Sequence, residues 1–346
     1  APWVVDELLA EPFGNWHVDT SDTSTQLRVT KRGEAQVHES ARHESAMGES
    51  ARRESAVEDD AAARRSHDRA KKSLLDPDEP FLAALGIADD NGRVKPTRRA
   101  KLRQVEEFLR ALDPVLDRLE PEGGVLRVAD LGCGNAYLTF AAYRWLTKRY
   151  GEGVRFVGVD VKAQARERNT ELARRLGWSQ RMSFVEGAIG TVALDQPPHL
   201  VLALHACDTA TDDALARAVR WQSRAVVAAP CCHHDLQKQV RKGTTPGPYG
   251  LLTRHGILRE RLADGLTDAL RAAILRLTGY RVEVIEFVDS AHTPRNVLLR
   301  AERTGAPAPA DVASDYAALV AEWSIQPALA LLLEPELNAA LGAARR

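Results

Sequence analysis

The sequence predicts a doubly wound α/β fold on a mostly parallel sheet, with an N-terminal appendage and a helical C-terminal tail. Three observations carry that expectation. Short apolar runs alternate with helical segments from Val125 to Val227, the pattern of strand–helix–strand crossovers. The first run, Val128-Ala129-Asp130-Leu131, empties into Gly132-Cys133-Gly134, a turn in which backbone can approach a ligand closely. The second, Phe156-Val157-Gly158-Val159, closes on an acid, Asp160. Strands are expected at about 125–131, 155–160, 182–187, 199–205 and 224–230, with a helical segment between each pair. Ligands of such sheets bind beyond the carboxyl ends of the strands, so the strand-closing residues are the candidates for function.

The remaining elements follow in chain order. Residues 1–35 carry short alternating segments such as Gln26-Leu27-Arg28-Val29-Thr30 and read as a small strand pair. Residues 36–70 hold a pentad repeat, with Glu-Ser-Ala recurring at 39, 44, 49 and 54. A five-residue period spreads its alanines around a helix and can bury no face, so a solvated, disordered expansion is expected. The main domain is expected over 80–303. Its lead-in helix places Leu102, Val105, Phe108, Leu109 and Leu112 on one face. Arg93, Lys95, Arg98, Arg99, Lys101 and Arg103 make this region basic, which reads as a solvated face because no aromatics are interleaved. A helical insert over 236–278 precedes two last strands, 280–289 and 296–301, joined through His292-Thr293-Pro294-Arg295. A tail helix within 311–346 carries Tyr316, Leu319, Val320 and Trp323.

Composition bounds the class. The chain has 346 residues, 44% of them hydrophobic, with net charge −1, ordinary values for a globular protein large enough for a full core. No apolar run approaches a membrane span, and Ala1-Pro2-Trp3-Val4-Val5-Asp6-Glu7 lacks the features of a signal peptide, so a cytoplasmic location and no membrane partner are expected. Of the four cysteines, Cys133, Cys207, Cys231 and Cys232, three cluster near the ends of predicted strands, which suits site chemistry or metal binding better than a disulfide framework.

The glycine turn admits two ligands. A dinucleotide fingerprint wants a third glycine where Tyr137 stands, and Asp130 would repel a pyrophosphate. A phosphate-free ligand with cationic ammonium and sulfonium groups suits the same place, which points to S-adenosylmethionine. Gly132 and Gly134 should let backbone reach it, with Asp130 near its ammonium group. Asp160 should accept its ribose hydroxyls, and Glu186-Gly187 should border its adenine. His205, closing the fourth strand, joins that set.

The fourth and fifth strands end in His205-Ala206-Cys207-Asp208-Thr209 and Pro230-Cys231-Cys232-His233-His234. Three chemistries fit. His233, His234 or Asp208 could act as general base. Cys231 or Cys232 could attack a pyrimidine ring as a thiolate. Zinc could be held by thiolate and imidazole, but adjacent cysteines seldom face one ion and the spacing is no zinc knuckle, so no metal ligands are assigned. General-base catalysis demands the least special geometry and is preferred.

Here a resemblance becomes specific. His205-Ala206-Cys207-Asp208-Thr209-Ala210-Thr211-Asp212 with Cys231-Cys232-His233-His234 resembles the paired signature of a class I methyltransferase group. That group contains the eukaryotic tRNA acceptor-stem 2′-O-methyltransferases and bacterial relatives. Tyr137-Leu138-Thr139-Phe140, Asp264 to Leu270 and His292 to Asn296 extend the similarity over about 81–303. The resemblance implies a Rossmann-like class I fold, S-adenosylmethionine as cofactor and RNA (tRNA or rRNA) as acceptor. Asp208 stands where the tRNA enzymes have glycine, and their zinc-finger segments have no counterpart in this sequence. The alternatives are a small-molecule or protein methyltransferase, or a cofactor-bound RNA-binding protein without catalysis.

Overall fold

The computed structural model describes residues 15–19, 23–29, 35–41, 73–76, 78–89, 91–204, 206–286 and 296–344. It divides into two compact units, Ala1–Lys72 and Ser73–Arg346. The first contains an antiparallel meander of β1 (Asn15–Asp19), β2 (Thr23–Val29) and β3 (Ala35–Ala41), with Trp16 opposite Leu27 and Leu27 opposite Val37. Three strands thus form where the alternation suggested two, and the third takes in His38-Glu39-Ser40-Ala41, the start of the pentad repeat. Strand pairing satisfies backbone groups and needs no buried face, so the repeat's side-chain period does not exclude it. The rest of the repeat lies outside the described residues.

In the second unit, a short helix α1 (Pro80–Ala84) opens on proline, whose fixed φ suits a first helical turn. Next comes α2 (Arg99–Leu116), which buries Val105, Phe108, Leu109 and Leu112 as its spacing predicts. Strands and helices then alternate: β4 (Leu126–Leu131), α3 (Tyr137–Tyr150), β5 (Val154–Asp160), α4 (Ala163–Arg175), β6 (Met182–Glu186), β7 (Leu200–Ala203), α5 (Thr209–Arg220), β8 (Ala225–Ala228) and α6 (His234–Lys242). The insert supplies α7 (Gly250–Thr253) and α8 (Gly256–Leu277). The hairpin β9 (Tyr280–Glu286) and β10 (Val297–Arg303) follows, then α9 (Ala310–Trp323), α10 (Ala328–Leu332) and α11 (Glu334–Ala344). The segment joining the hairpin strands, with His292 to Arg295, lies outside the described residues.

The sheet order is β6-β5-β4-β7-β8-β10-β9. Strands β4 to β8 run parallel, and β10 lies antiparallel between β8 and β9. Alternation along the strands feeds two cores. Val128, Phe156, Leu200 and Leu202 face α2 and α3, whose Phe108, Phe140 and Tyr143 fill that side. Ala129, Val159, Val201 and Ala203 face the opposite layer, with Leu215 of α5, Ile274 of α8 and the tail residues Trp323, Leu329 and Leu333. The order reverses between β4 and β7, and that switch point opens the ligand crevice at the strand ends. This is the doubly wound, Rossmann-like class I architecture. Among the described residues no helix is long and apolar enough to cross a membrane.

Candidate active site at the strand ends

The turn after β4 takes conformations that glycine alone adopts readily: φ is +80° at Gly132 and +50° at Gly134. A Cβ at Gly132 would meet Ala206 at 3.4 Å, an ordinary contact, so the positive φ is what calls for glycine there. The turn is tied to β5 from both sides. Gly132 and Cys133 donate their N–H groups to the Val159 carbonyl at 2.8 and 3.0 Å, and Gly134 donates to Asp160 Oδ2 at 2.8 Å. Asp160 Oδ1 accepts from the Lys162 N–H at 2.9 Å. Asn169 of α4 completes the brace, its Nδ2 donating to the Gly134 carbonyl at 2.9 Å.

Above this turn lies an open cavity of about 700 Å³. Gly132, Gly134, Tyr137 and Asp160 form one wall, and Ala188 to Gly190, Ala206, Cys207 and Asp213 face them. Lys162 and Arg168 stand at the rim. Burial and the neighbouring Asp212 push the Asp213 carboxyl upward. Lys101 sits 4.1 Å over the Tyr137 ring, so an aromatic absent from the basic lead-in sequence reaches it through the fold. Burial, then the charges of Arg98 and Arg168, lower its proton affinity.

The expected cofactor residues distribute unevenly. Gly132, Gly134 and Asp160 line the cavity. Asp130 lies beneath the turn, 2% exposed, with Oδ2 accepting from the Thr139 hydroxyl. Its Oδ1 is buried with no hydrogen-bond partner among the described residues. Desolvation, against the Thr139 bond and with the nearby Asp160 charge, raises its pKa to about 7. Glu186 and Gly187 stop short of the cavity: Glu186 is exposed beside Arg166, and the Gly187 N–H donates to the Asp160 carbonyl at 3.0 Å. The wall there begins at Ala188, because the chain is still completing the β5–β6 ladder at Gly187. His205 lies outside the described residues.

The Cys/His cluster splits into three environments. Cys207, Cys231 and Cys232 gather, with sulfurs 3.0 Å apart for Cys207–Cys231 and 3.8 Å for Cys231–Cys232. The grouping differs from the expectation that adjacent cysteines face apart, because the chain is irregular between β8 and α6. Burial, then the bond to Cys207, raises the Cys231 thiol to about 12. His233 is buried and clamped inward, with Nε2–H donating to Asp268 at 3.0 Å and Nδ1 3.5 Å from Asp264. Nε2 is thus committed to a carboxylate, while Nδ1 is buried without a hydrogen-bond partner among the described residues, and the ring does not line the cavity. His234 is exposed and lines a second depression of about 270 Å³ with Gln237, Lys238, Arg241, Arg259 and Glu260. Asp208 holds a glycine-like backbone, φ +55° and ψ −126°, and its Oδ1 accepts from the Asp235 N–H at 3.0 Å.

Asp268 belongs to a larger buried network. Arg271 grips Asp212 with two hydrogen bonds, at 2.9 and 2.7 Å, and reaches Asp268 at 3.2 Å and the Asp208 carbonyl at 3.0 Å. The network ties α5, α6 and α8 together behind the thiols. Sequence reasoning missed Arg168, Asn169, Asp213 and Arg271, which sit in ordinary helical patterns without a local signal.

Residues 100–239 match the sequence model of a family described as a methyltransferase domain. Match and cavity meet at the same strand ends, those of β4 and β5. The domain is an S-adenosylmethionine-dependent methyltransferase. No curated protein matches the chain. Among solved structures, geranyl diphosphate methyltransferase in complex with S-adenosylmethionine is 17% identical, the alignment covering 64% of this chain and 94% of that one at a TM-score of 0.36. An S-adenosylhomocysteine-bound methyltransferase of Podospora anserina is 13% identical over 71% of this chain and 96% of that one, at 0.41. A S-adenosylmethionine-dependent methyltransferase of Geobacter sulfurreducens is 17% identical over 69% and 80%, at 0.33. None of these matches is specific to the tRNA acceptor-stem enzymes.

Proposed function

We propose that the domain methylates RNA. The observation that carries this reading is a set of cations at and near the cavity, of which Lys162 and Arg168 line it alongside Asp160 and Asp213. Arg98, Lys162 and Arg168 are exposed, with Lys101 stacked on Tyr137 among them. Lys238, Arg241 and Lys242 add an exposed basic helix beyond the cysteines. A chain of net charge −1 that concentrates cations beside its cavity favours a polyanionic acceptor.

When bound, S-adenosylmethionine supplies an electrophilic methyl group. Gly132 and Gly134 would admit it against backbone. Each Asp160 oxygen keeps acceptor capacity beyond its backbone bond and would take a ribose hydroxyl. Asp130, with its unpaired Oδ1 beneath the turn and its pKa of about 7, would ionise more readily with a cationic ligand above it, each charge favouring the other. His233 would act as a positioning residue, holding the Cys231-Cys232 segment against α8. Of the remaining general-base candidates, Asp208 stands nearest the thiol cluster and His234 lines the second depression.

The test is radiolabelled methyl transfer by the full chain to total RNA, to a protein extract and to a small-molecule extract. Label should enter RNA and be released by ribonuclease. RNA affinity should fall steeply with salt, and Arg98→Glu with Lys238→Glu should weaken it about tenfold or more while cofactor affinity stays unchanged. Label confined to the small-molecule extract would transfer the reading to a small acceptor, the class to which the similar geranyl diphosphate enzyme belongs by name.

A further inference from the structure

We propose that Cys207, Cys231 and Cys232 form a three-thiolate site for a zinc-type cation beside the cofactor cavity. All three sulfurs lie within 4.8 Å of one another. A tetrahedral zinc ion about 2.3 Å from each sulfur requires sulfurs about 3.8 Å apart. The Cys231–Cys232 separation is 3.8 Å, and Cys207–Cys231, at 3.0 Å, need only open by less than an ångström.

The fold fixes these positions through two neighbouring parallel strands. Leu202 pairs with Val227 and Ala203 with Ala228, so the segments leaving β7 and β8 emerge side by side. The His233–Asp268 bond then anchors the residue directly after Cys232. Cys207 is exposed and lines the cavity, which gives an ion its entry path. Soft thiolates select zinc-like ions over magnesium or calcium. Among the described residues three thiolates supply the ligands, one fewer than a closed four-ligand structural site. The site is independent of the RNA reading, since it would stand for any acceptor.

The test is spectroscopic and needs no turnover. The full chain, reduced and freed of metal, is titrated with cobalt(II), then with zinc. The expected result is saturation at one ion per chain, with visible bands of tetrahedral cobalt and a near-ultraviolet sulfur-to-cobalt charge-transfer band that zinc abolishes. Cys207→Ser and Cys232→Ser should each weaken that band and cobalt affinity by at least tenfold. Should a variant fail to fold, the parent spectrum decides alone. Octahedral cobalt without a charge-transfer band in the reduced parent would overturn the proposal, leaving the short Cys207–Cys231 approach as a disulfide pair. Survival of the band in the combined Cys207→Ser, Cys232→Ser chain would overturn it as well.

Discussion

At the residue scale, Asp160 links the backbone of the glycine turn to the cavity. Its two oxygens hold the Gly134 and Lys162 N–H groups, so Asp160→Ala removes the brace together with the proposed ribose acceptors. Charge-assisted hydrogen bonds contribute roughly 1.5–3 kcal/mol each. The expected outcome is a cofactor Kd raised by about 10²-fold or more in isothermal titration, and an unchanged Kd would refute the placement. Asp130 offers a pH signature. Its folded pKa, about 7, stands above the ordinary carboxylate value. Between about pH 4 and 7 the folded chain keeps a proton that the unfolded chain has released. Its contribution to stability therefore falls as pH rises through that window and is flat above it. The span corresponds to at most about 4 kcal/mol. Asp130→Asn removes this dependence, so the variant should gain on the parent from pH 5 to pH 8 in urea denaturation of the cofactor-free chain. Parallel profiles would show that another group titrates.

At the element scale, α8 decides how firmly the thiol segment is held. Asp264, Asp268 and Arg271 recur at helical spacing on one face and meet His233 and Asp212. Arg271→Met would leave Asp212 and Asp268 buried without their cation, at a cost of about 3–5 kcal/mol. Chemical denaturation should show that loss, and a change below 1 kcal/mol would mean the acids find water instead. The same elements show what the sequence could reveal. Alternating strands and helices, the glycine turn and the acid closing β5 are local patterns, written within a few neighbouring residues. The clamp is not local: His233 meets Asp268 across 35 residues and Arg271 meets Asp212 across 59. Lys101 likewise finds Tyr137 only when α2 packs on α3. Asp208 marks an intermediate case. The resemblance flagged it as a replaced glycine, but only the structure shows it in glycine's backbone region, with its side chain repaying part of that strain through Asp235.

At the scale of the whole molecule, the segment matching the methyltransferase family is shorter than the unit that must fold. The match ends at residue 239, before α8, the last hairpin and the tail. Yet Leu270, Ile274, Leu299, Trp323, Leu329 and Leu333 share one core with Val201 and Leu215 at the centre of the sheet. A chain ending at Arg303 would strip Trp323, Ile325, Leu329 and Leu333 from that core. Each buried apolar side chain is worth roughly 1.5–3 kcal/mol, and a whole domain is stable by only about 5–15 kcal/mol. Residues 73–303 should therefore aggregate or melt far below the parent. Residues 73–346 retain both cores and every described wall of the cavity, so they should bind S-adenosylmethionine with the affinity of the full chain. Thermal melts and isothermal titration on the two truncations check both expectations. Equal melting temperatures for the two would show that the tail is an appendage, and lost cofactor affinity in residues 73–346 would show that the first unit contributes to the site.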